Sequence, residues 1–451
     1  VHPEIQSVLQ VGTSYKEIWK IALPIILGNL VQSILTITNT AFLGRVGEIT
    51  LGASAIGGVF YFLVNTIAMG LAIGPQIIIA RRTGEGNYLQ IGKVFSQSVY
   101  IMLPLSVFLF LVLRLLAPLF FSSVLQSDAI VNEADRYLSI MSFAVFFSVL
   151  NTNYRALFIG LAKTRILTYS IIIMVGVNIF FDYSLIFGKF GFPEMGIQGA
   201  ALSSIIAEGS AFIYFGIYTR FFLDIKKYNL FRFGKWSNTE TRNILQLSYP
   251  SIFQYLISIG SWFMFFVIIE QTGELPIAIS NIVRSIMMLI MMPIWGLATT
   301  GNTMVSNIIG QEKKEEVLVL IRRIINLGFI ITIIYLPVIL FIPEWVIRIY
   351  TNDAKLIAGA IKPLYVVYVA SVFCVPGAIS LFSLSGTGDT KTSFLIEVAT
   401  TSTYLVYAVL VALVFKLSLE VVWGAETLYW IMITILAYLR IKSGKWKKIK
   451  V

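Results

Sequence analysis

Gly70-Leu71-Ala72, in a segment closed by Gly84, returns as Gly296-Leu297-Ala298 in a segment closed by Gly310. The same offset of 226 residues lays Pro24 on Pro250, Gly47-Glu48 on Gly273-Glu274, Gly160 on Gly386 and Thr164-Arg165 on Thr390-Lys391, without a gap. Self-similarity at a fixed offset is the mark of a repeated structural unit, so the chain reads as a duplication. The repeats are apolar. Of 451 residues, 57% are hydrophobic and 13% charged, and the mean hydropathy is +0.84. That composition excludes a water-soluble globule and makes the bilayer the solvent.

A helix needs about 20 residues to cross about 30 Å of hydrocarbon. The apolar stretches divide into twelve such segments, at approximately 18–44, 51–80, 91–121, 131–155, 166–187, 197–220, 243–270, 277–308, 317–341, 359–384, 393–415 and 421–441. The expected fold class is an all-α polytopic membrane protein with twelve transmembrane helices in two six-helix lobes. Six spans per copy is an even number, so both copies enter the membrane in the same direction, related by a pseudo-two-fold axis along the membrane normal. The domain division expected from this is 1–220 for the N-terminal lobe, 221–242 for an inter-lobe loop and 243–451 for the C-terminal lobe with a basic tail.

The net charge of +11 is placed asymmetrically. Lys16, Lys20, Arg81, Arg82, Lys163, Arg165, Lys226 and Lys227 fall on one side of the predicted spans, against a few such as Arg45, Lys189 and Lys355 on the other. Lys and Arg resist translocation, so both termini and the 221–242 loop are expected in the cytoplasm. The terminal run of Lys442, Lys445, Lys447, Lys448 and Lys450 reads as an anchor to anionic lipid. The charge therefore implies a phospholipid bilayer as partner and not nucleic acid. The only cysteine, Cys374, lies in an apolar segment without a disulfide partner, and the only histidine, His2, lies outside the spans. No His-based catalysis or metal cluster can be assembled, so neither an enzyme nor a cofactor is expected. No cleavable leader is expected, and the first span orients the chain. Gly386-Thr387-Gly388-Asp389-Thr390-Lys391 lacks the spacing of a phosphate-binding loop, which argues against ATP as a direct energy source.

Polar residues at membrane depth mark the candidate site. Asn39 near the outer end of the first span, Asp182 in the fifth and Ser204 in the sixth lie at one level, roughly 8–10 Å below the outer hydrocarbon edge at about 1.5 Å per residue. Asn178 sits one turn from Asp182 on the same face. A carboxylate at mid-helix costs about 2.5–3.5 kcal/mol on insertion scales, so a functional reason for Asp182 is the default. Removal from water favours the protonated form of a carboxyl group, which suits a proton role, while the oxygens of Asn39, Asn178 and Ser204 would equally suit sodium. Glu208 stands one turn beyond Ser204.

For the substrate, Asn29, Gln32, Thr36 and Asn39 form a polar stripe on the first span, and Gln254, Ser258 and Trp262 a similar one on the seventh. Met287 and Met291, with Met288 and Met292, offer soft side chains to dissimilar apolar ligands. Tyr61 and Trp262 could hold a lipophilic cation by their ring faces. Arg284 is expected to pair with Glu270 or Glu274, with the alternative that it repels or orients substrate in the cleft, and Glu397 is expected to pair with Lys391. Pro24 and Pro250 each remove a backbone hydrogen bond and are expected hinges. Asn178 and Asp182 map by the repeat onto Tyr404 and Ala408, so ion coupling is expected in one lobe alone.

Five motifs in register carry a resemblance. They are Pro24 in a span ending Thr38-Asn39-Thr40-Ala41-Phe42-Leu43-Gly44-Arg45, the Gly-Leu-Ala of the second and eighth spans, Asn178-Ile179-Phe180-Phe181-Asp182, and Gly196-Ile197-Gln198-Gly199-Ala200-Ala201-Leu202-Ser203-Ser204. Over residues 16–441 the chain resembles the multidrug and toxic compound extrusion (MATE) family. The lack of a carboxylate between Gln254 and Gly260 resembles its DinF-like prokaryotic branch more than the NorM-like one. The resemblance implies a secondary active multidrug efflux transporter, a proton or sodium antiporter that expels organic, often cationic, drug-like compounds by alternating access at a central cleft. It implies a monomer, multi-pass in a prokaryotic cytoplasmic (inner) membrane.

The sequence departs from the family at position 39, commonly Asp there and Asn here, and at position 208, more often uncharged. Glu208 is therefore expected to supply the second carboxylate, completing an ion-coupling set of Asp182, Asn178, Asn39, Ser204 and Glu208. No structural metal is expected, though a transient sodium ion at Asp182 and Asn178 is an alternative to a proton. The competing reading is a lipid-linked oligosaccharide or lipid flippase of the same superfamily. It would need a basic stripe, for which Arg284 is the one buried candidate. A passive channel would leak without gradient-driven accumulation.

Overall fold

In hydrocarbon every backbone N–H and C=O must be bonded within its own segment, which makes helices of these apolar stretches. The structure, a computed structural model, describes residues 10–124, 127–449 and 451, and no strand occurs among the described residues. His2 and Lys450 lie outside the described residues. The long helices of the first half are α1 (Tyr15–Val46), α2 (Glu48–Gly84), α3 (Tyr88–Ser123), α4 (Asp128–Met141), α5 (Ala144–Gly160), α6 (Arg165–Ile186) and α7 (Gly196–Phe222). After the short α8 (Ile225–Tyr228), the second half contributes α9 (Asn238–Glu270), α10 (Glu274–Gly310), α11 (Lys314–Phe341), α12 (Pro343–Arg348), α13 (Ala354–Gly386), α14 (Thr390–Val414) and α15 (Leu419–Lys442).

Among the described residues 11 helices are long and apolar enough to cross a membrane. The fourth expected span, 131–155, is the exception because it is interrupted between α4 and α5. The backbone of Ser142 and Phe143 stays right-handed helical, but the bonds tighten. Phe143 N–H donates to Ile140 O at 3.1 Å and Val145 N–H to Ser142 O at 3.2 Å, three residues back instead of four. Ser142 Oγ donates to Ser139 O at 3.1 Å, so a hydroxyl competes with the helix for its own carbonyls. The two pieces together supply the length of the missing span. Pro24 and Pro250 lie inside α1 and α9, which continue through them.

Packing groups the chain into two compact units, Leu27–Ile252 on one hand and Val1–Ile26 with Phe253–Val451 on the other. The divisions thus fall within α1 and α9, not in the loops at 220 and 243. Each falls two residues after a proline, Pro24 or Pro250, at positions equivalent under the repeat.

Glycines explain which half-helix belongs to which unit. In the Leu27–Ile252 unit, a Cβ on Gly70 of α2 would stand 2.5 Å from Ile252 Cα, and Ser248 Oγ donates to Leu71 O at 2.7 Å. In the other unit, a Cβ on Gly296 of α10 would stand 2.5 Å from Ile26 Cγ1. Only a residue without a Cβ lets helices approach so closely. The duplication reappears in a second pair of contacts, Gly160 against Gln76 O and Gly386 against Asn302 O. It also reappears in the segments ahead of the two prolines. Gln97 accepts from Ser237 N–H at 3.0 Å and donates to Lys235 O at 3.2 Å, while its counterpart Arg323 donates to Thr13 O at 2.8 Å.

Candidate functional site

The close approach of α6 and α7 builds the first cluster. A Cβ on Gly199 would lie 2.7 Å from the Leu185 carbonyl carbon and oxygen and 3.0 Å from Ile186 N, so the start of α7 rests on the end of α6. One turn along α7 from Gly199 stands Ser203, and one turn back along α6 from Ile186 stands Asp182. Ser203 Oγ donates to Asp182 Oδ1, and Asn178 Nδ2 donates to Ser203 Oγ at 3.2 Å. Asn39 of α1 completes the ring. With its amide turned so that nitrogen faces the acceptors, it donates to Asp182 Oδ2 at 2.6 Å and to Asn178 Oδ1 at 2.9 Å. Asp182 and Ser203 are 0% exposed and Asn178 1%. Tyr137 of α4 lies within electrostatic reach of Asp182, a neighbour that sequence reasoning missed.

Ser204 is not in this ring. It is rotated about 100° from Ser203 around the helix, and its Oγ bonds back to Ala200 O at 3.0 Å. Glu208 is separate too. Asn151 Nδ2 donates to Glu208 Oε2 at 2.7 Å, and Arg155 and Tyr61 lie within electrostatic reach of Glu208. No hydrogen bond joins Glu208 to Asp182, Asn178 or Asn39 among the described residues. Position 39 is filled at the ring by Asn39 itself, so Glu208 does not stand in for it there. The Oδ1 atoms of Asn65 and Asn151 are buried without a hydrogen-bond partner. Tyr61 belongs to the hydrophobic core of its unit at 8% exposure, so its ring face is not open to a ligand. Asn29 and Gln32 are half-buried and Thr36 exposed on the face of α1 that leads to Asn39.

In the other unit several expectations change. Arg284 has no salt bridge to Glu270 or Glu274, both of which are exposed; its guanidinium lies over the Trp262 and Phe266 rings, 5.8 and 5.0 Å from their centroids. The aromatic pair is one helical turn apart on α9 and supplies the negative ring faces that a cation seeks in a dry setting. Met287 and Met291 are core residues at 5% and 4% exposure, because they share the buried face of α10 with Ile290 and Ile294. Glu397 does not pair with Lys391 at an interface: it is 2% exposed and accepts from Tyr429 Oη at 2.6 Å. Gln254 and Ser258 of α9 lie beside the same carboxylate. Glu426, overlooked in the sequence, is a second buried acid; its position seven residues into the apolar α15 was the available signal.

A carboxylate held by amides and hydroxyls inside a duplicated set of membrane helices is the equipment of a membrane transporter. There a polar site between spanning helices holds an ion, and no catalytic group is required. The MatE family model matches residues 24–184 and 250–414, once in each repeat, and the chain belongs to the MatE family of multi-pass membrane transporters. It is 29% identical over 457 residues to a probable multidrug resistance protein NorM of Thermotoga maritima, covering 96% of this chain and 93% of that one. The crystal structure of MATE in complex with MaL6 matches with a TM-score of 0.90 at 20% identity, over 98% of this chain and 99% of that one. A MOP superfamily transporter from Pyrococcus furiosus, described by the reversed polarity of its binding pocket, matches at 0.88 and 21% identity, over 98% and 99%. At these identities the two structures establish the fold. The relatives carry the NorM name, whereas the DinF-like placement rests on residues 254–260 alone.

Proposed function

We propose that this chain is a secondary exporter of organic, often cationic, drug-like compounds, driven by entry of a proton or sodium ion at Asp182. The observation that carries the reading is a fully buried carboxylate whose two oxygens are each held by a side chain from a different helix, Ser203 of α7 and Asn39 of α1. Such a group is costly at membrane depth unless its charge is neutralised, and a reversible cation does that. The NorM name of the Thermotoga maritima relative supports multidrug compounds as the substrate class.

Protonation of Asp182 requires no rearrangement of the ring. Sodium would require the Asn39 amide to turn its oxygen inward, beside the oxygens of Asn178 and Ser203. The polar stripe of Asn29, Gln32 and Thr36 leads the substrate to this site, with Glu208 as a neighbouring acid and with Ser204 in a supporting place. Gln254, Ser258, Trp262 and Arg284 are the candidates for substrate contact in the other unit. Pro24 and Pro250 supply the bends for alternating access, in a monomer with both termini in the cytoplasm. The test is accumulation of a fluorescent lipophilic cation by reconstituted protein under a proton gradient and a sodium gradient imposed separately. Accumulation driven by one of them identifies the ion, and failure of both across several dyes refutes the reading.

A second reading, a lipid-linked oligosaccharide or lipid flippase, is favoured by one observation. Arg155 and Arg284 both lie within helices, and neither forms a salt bridge among the described residues. Binding of an anionic lipid lost in Arg155→Gln and Arg284→Gln, with no dye transport in the parent, would support it.

A further inference from the structure

Among the described residues the second repeat carries two buried carboxylates that form no salt bridge and that the proposed exchange at Asp182 leaves unused; a third, Asp389, is paired with Arg440. Glu397 of α14 is 2% exposed and Glu426 of α15 is 5% exposed. Tyr429 Oη donates to Glu397 Oε1 at 2.6 Å, Thr401 Oγ1 donates to the same oxygen at 3.5 Å, and Ser258 and Gln254 lie beside the same carboxylate. Tyr404 Oη donates to Glu426 Oε1 at 3.1 Å. The Tyr404 and Tyr429 rings meet edge to face with centroids 5.8 Å apart, which joins the two acids into one cluster. The buried indole N–H of Trp430 has no hydrogen-bond partner and lies beside Glu426. The other titratable side chains facing the cluster are Tyr255 of α9 beside Glu397 and Cys374 of α13 beside Glu426. Among the described residues no lysine or arginine forms a salt bridge with either acid.

The location is not arbitrary. Under the 226-residue offset Tyr404 stands where Asn178 does in the first repeat, and Tyr429 where Ser203 does. Ala408 replaces Asp182, but Glu426 lies one turn before Tyr429 and Glu397 two turns before Tyr404. The place has kept its buried acid chemistry with a different set of residues.

The surroundings select the ligand. Hydroxyl, amide and indole donors face the carboxylates, so what each acid lacks is neutralisation of its charge, not further oxygens. Sodium would need several oxygen ligands gathered closely around it, and the indole N–H has none to present. A proton needs no such arrangement, and a carboxyl group removed from water with no cation beside it is stable as the neutral acid.

We propose that Glu397 and Glu426, linked through Tyr429 and Tyr404, form a second proton-binding centre in the second repeat, which loads and releases protons during the transport cycle. The proposal rests on the reading of the chain as a cation-coupled exporter, and it raises the number of cations moved per cycle above what Asp182 alone carries.

The test is infrared difference spectroscopy of the purified full chain in lipid nanodiscs between acidic and alkaline pH, following the C=O stretch of protonated carboxyl groups. Glu397→Gln and Glu426→Gln are each expected to delete a component of the pH-dependent band, and Asp182→Asn a different one. Tyr429→Phe, which removes one hydroxyl and preserves the ring, is expected to shift the midpoint of the Glu397 component. Binding of tetraphenylphosphonium in weakly buffered solution is expected to release fewer protons from Glu397→Gln than from the parent. A band that is unchanged in both glutamine variants, or a Glu397 and Glu426 contribution that is identical at both pH extremes, overturns the proposal. The infrared readout does not depend on transport, so a protein that fails to move any dye refutes the exporter reading and leaves this centre to be decided on its own titration.

Discussion

Gly199→Ala tests whether the close approach of α6 and α7 is what assembles the Asp182 ring. The added Cβ would lie 2.7 Å from the Leu185 carbonyl carbon and oxygen, whereas ordinary contact begins at 3.4 Å. Both obstructing atoms are backbone, so the helices must separate by roughly 0.7 Å at that point, since a packed interior has no slack to absorb it. Overpacking of this kind costs about 1–3 kcal/mol. Ser203 is one turn away, and its hydrogen bond to Asp182, of a class worth about 1.5–3 kcal/mol, weakens as α7 retreats. A combined loss on the order of 2–4 kcal/mol follows. Gly176→Ala on α6 is the control, because its Cβ would meet nothing within 4 Å. There the exchange of glycine for alanine is neutral or stabilises by up to about 1 kcal/mol. Thermal unfolding of the purified protein in detergent should show a lowered Tm for Gly199→Ala alone, and gradient-driven dye transport should fall with it. If both variants unfold and transport like the parent, the close approach does not position the site and the reasoning is wrong.

Three further outcomes are expected. Ser203→Ala should abolish or severely slow ion-driven transport while Ser204→Ala transports normally, because only Ser203 reaches Asp182; equal effects in a proteoliposome assay would count against the ring. Trp262→Ala should lose about 0.5–2 kcal/mol of cation–π stabilisation beneath Arg284 on top of its packing against Phe266, read as a Tm shift that is smaller in an Arg284→Gln background. Gly70→Ala and Gly296→Ala should both lower thermal stability, since each inserts a Cβ into an equivalent helix contact; an effect at one position alone would show that the two repeats do not use the contact alike.

The duplication was legible because its carriers are glycines and prolines, whose backbone roles leave a fixed trace: Gly70 and Gly296, or Gly160 and Gly386, occupy equivalent contacts in the structure. Depth counting brought Asn39, Asp182 and Ser204 to one level, with Asn178 one turn from Asp182, since a helix converts sequence distance into height. It could not resolve which of Ser203 and Ser204 faces Asp182, because that choice turns on the rotation of α7, set by Gly199 against α6. The interruption between α4 and α5 escaped notice for a similar reason, as it depends on where the Ser142 hydroxyl finds a carbonyl. Arg284 and Glu397 were misassigned because near neighbours in sequence were the only visible partners. Their actual partners, Phe266 and Trp262 for one and Tyr429 for the other, come from helix packing. Glu426 was passed over because one acid in an apolar helix has no pattern around it until Tyr404 is brought across from α14.

The most direct test of the central claim compares the parent and Asp182→Asn side by side in proteoliposomes, measuring dye accumulation under an imposed ion gradient together with equilibrium binding of the same dye. The account predicts that Asp182→Asn still binds the dye and no longer accumulates it against the gradient. Gradient-driven accumulation at the parent rate in Asp182→Asn would contradict it.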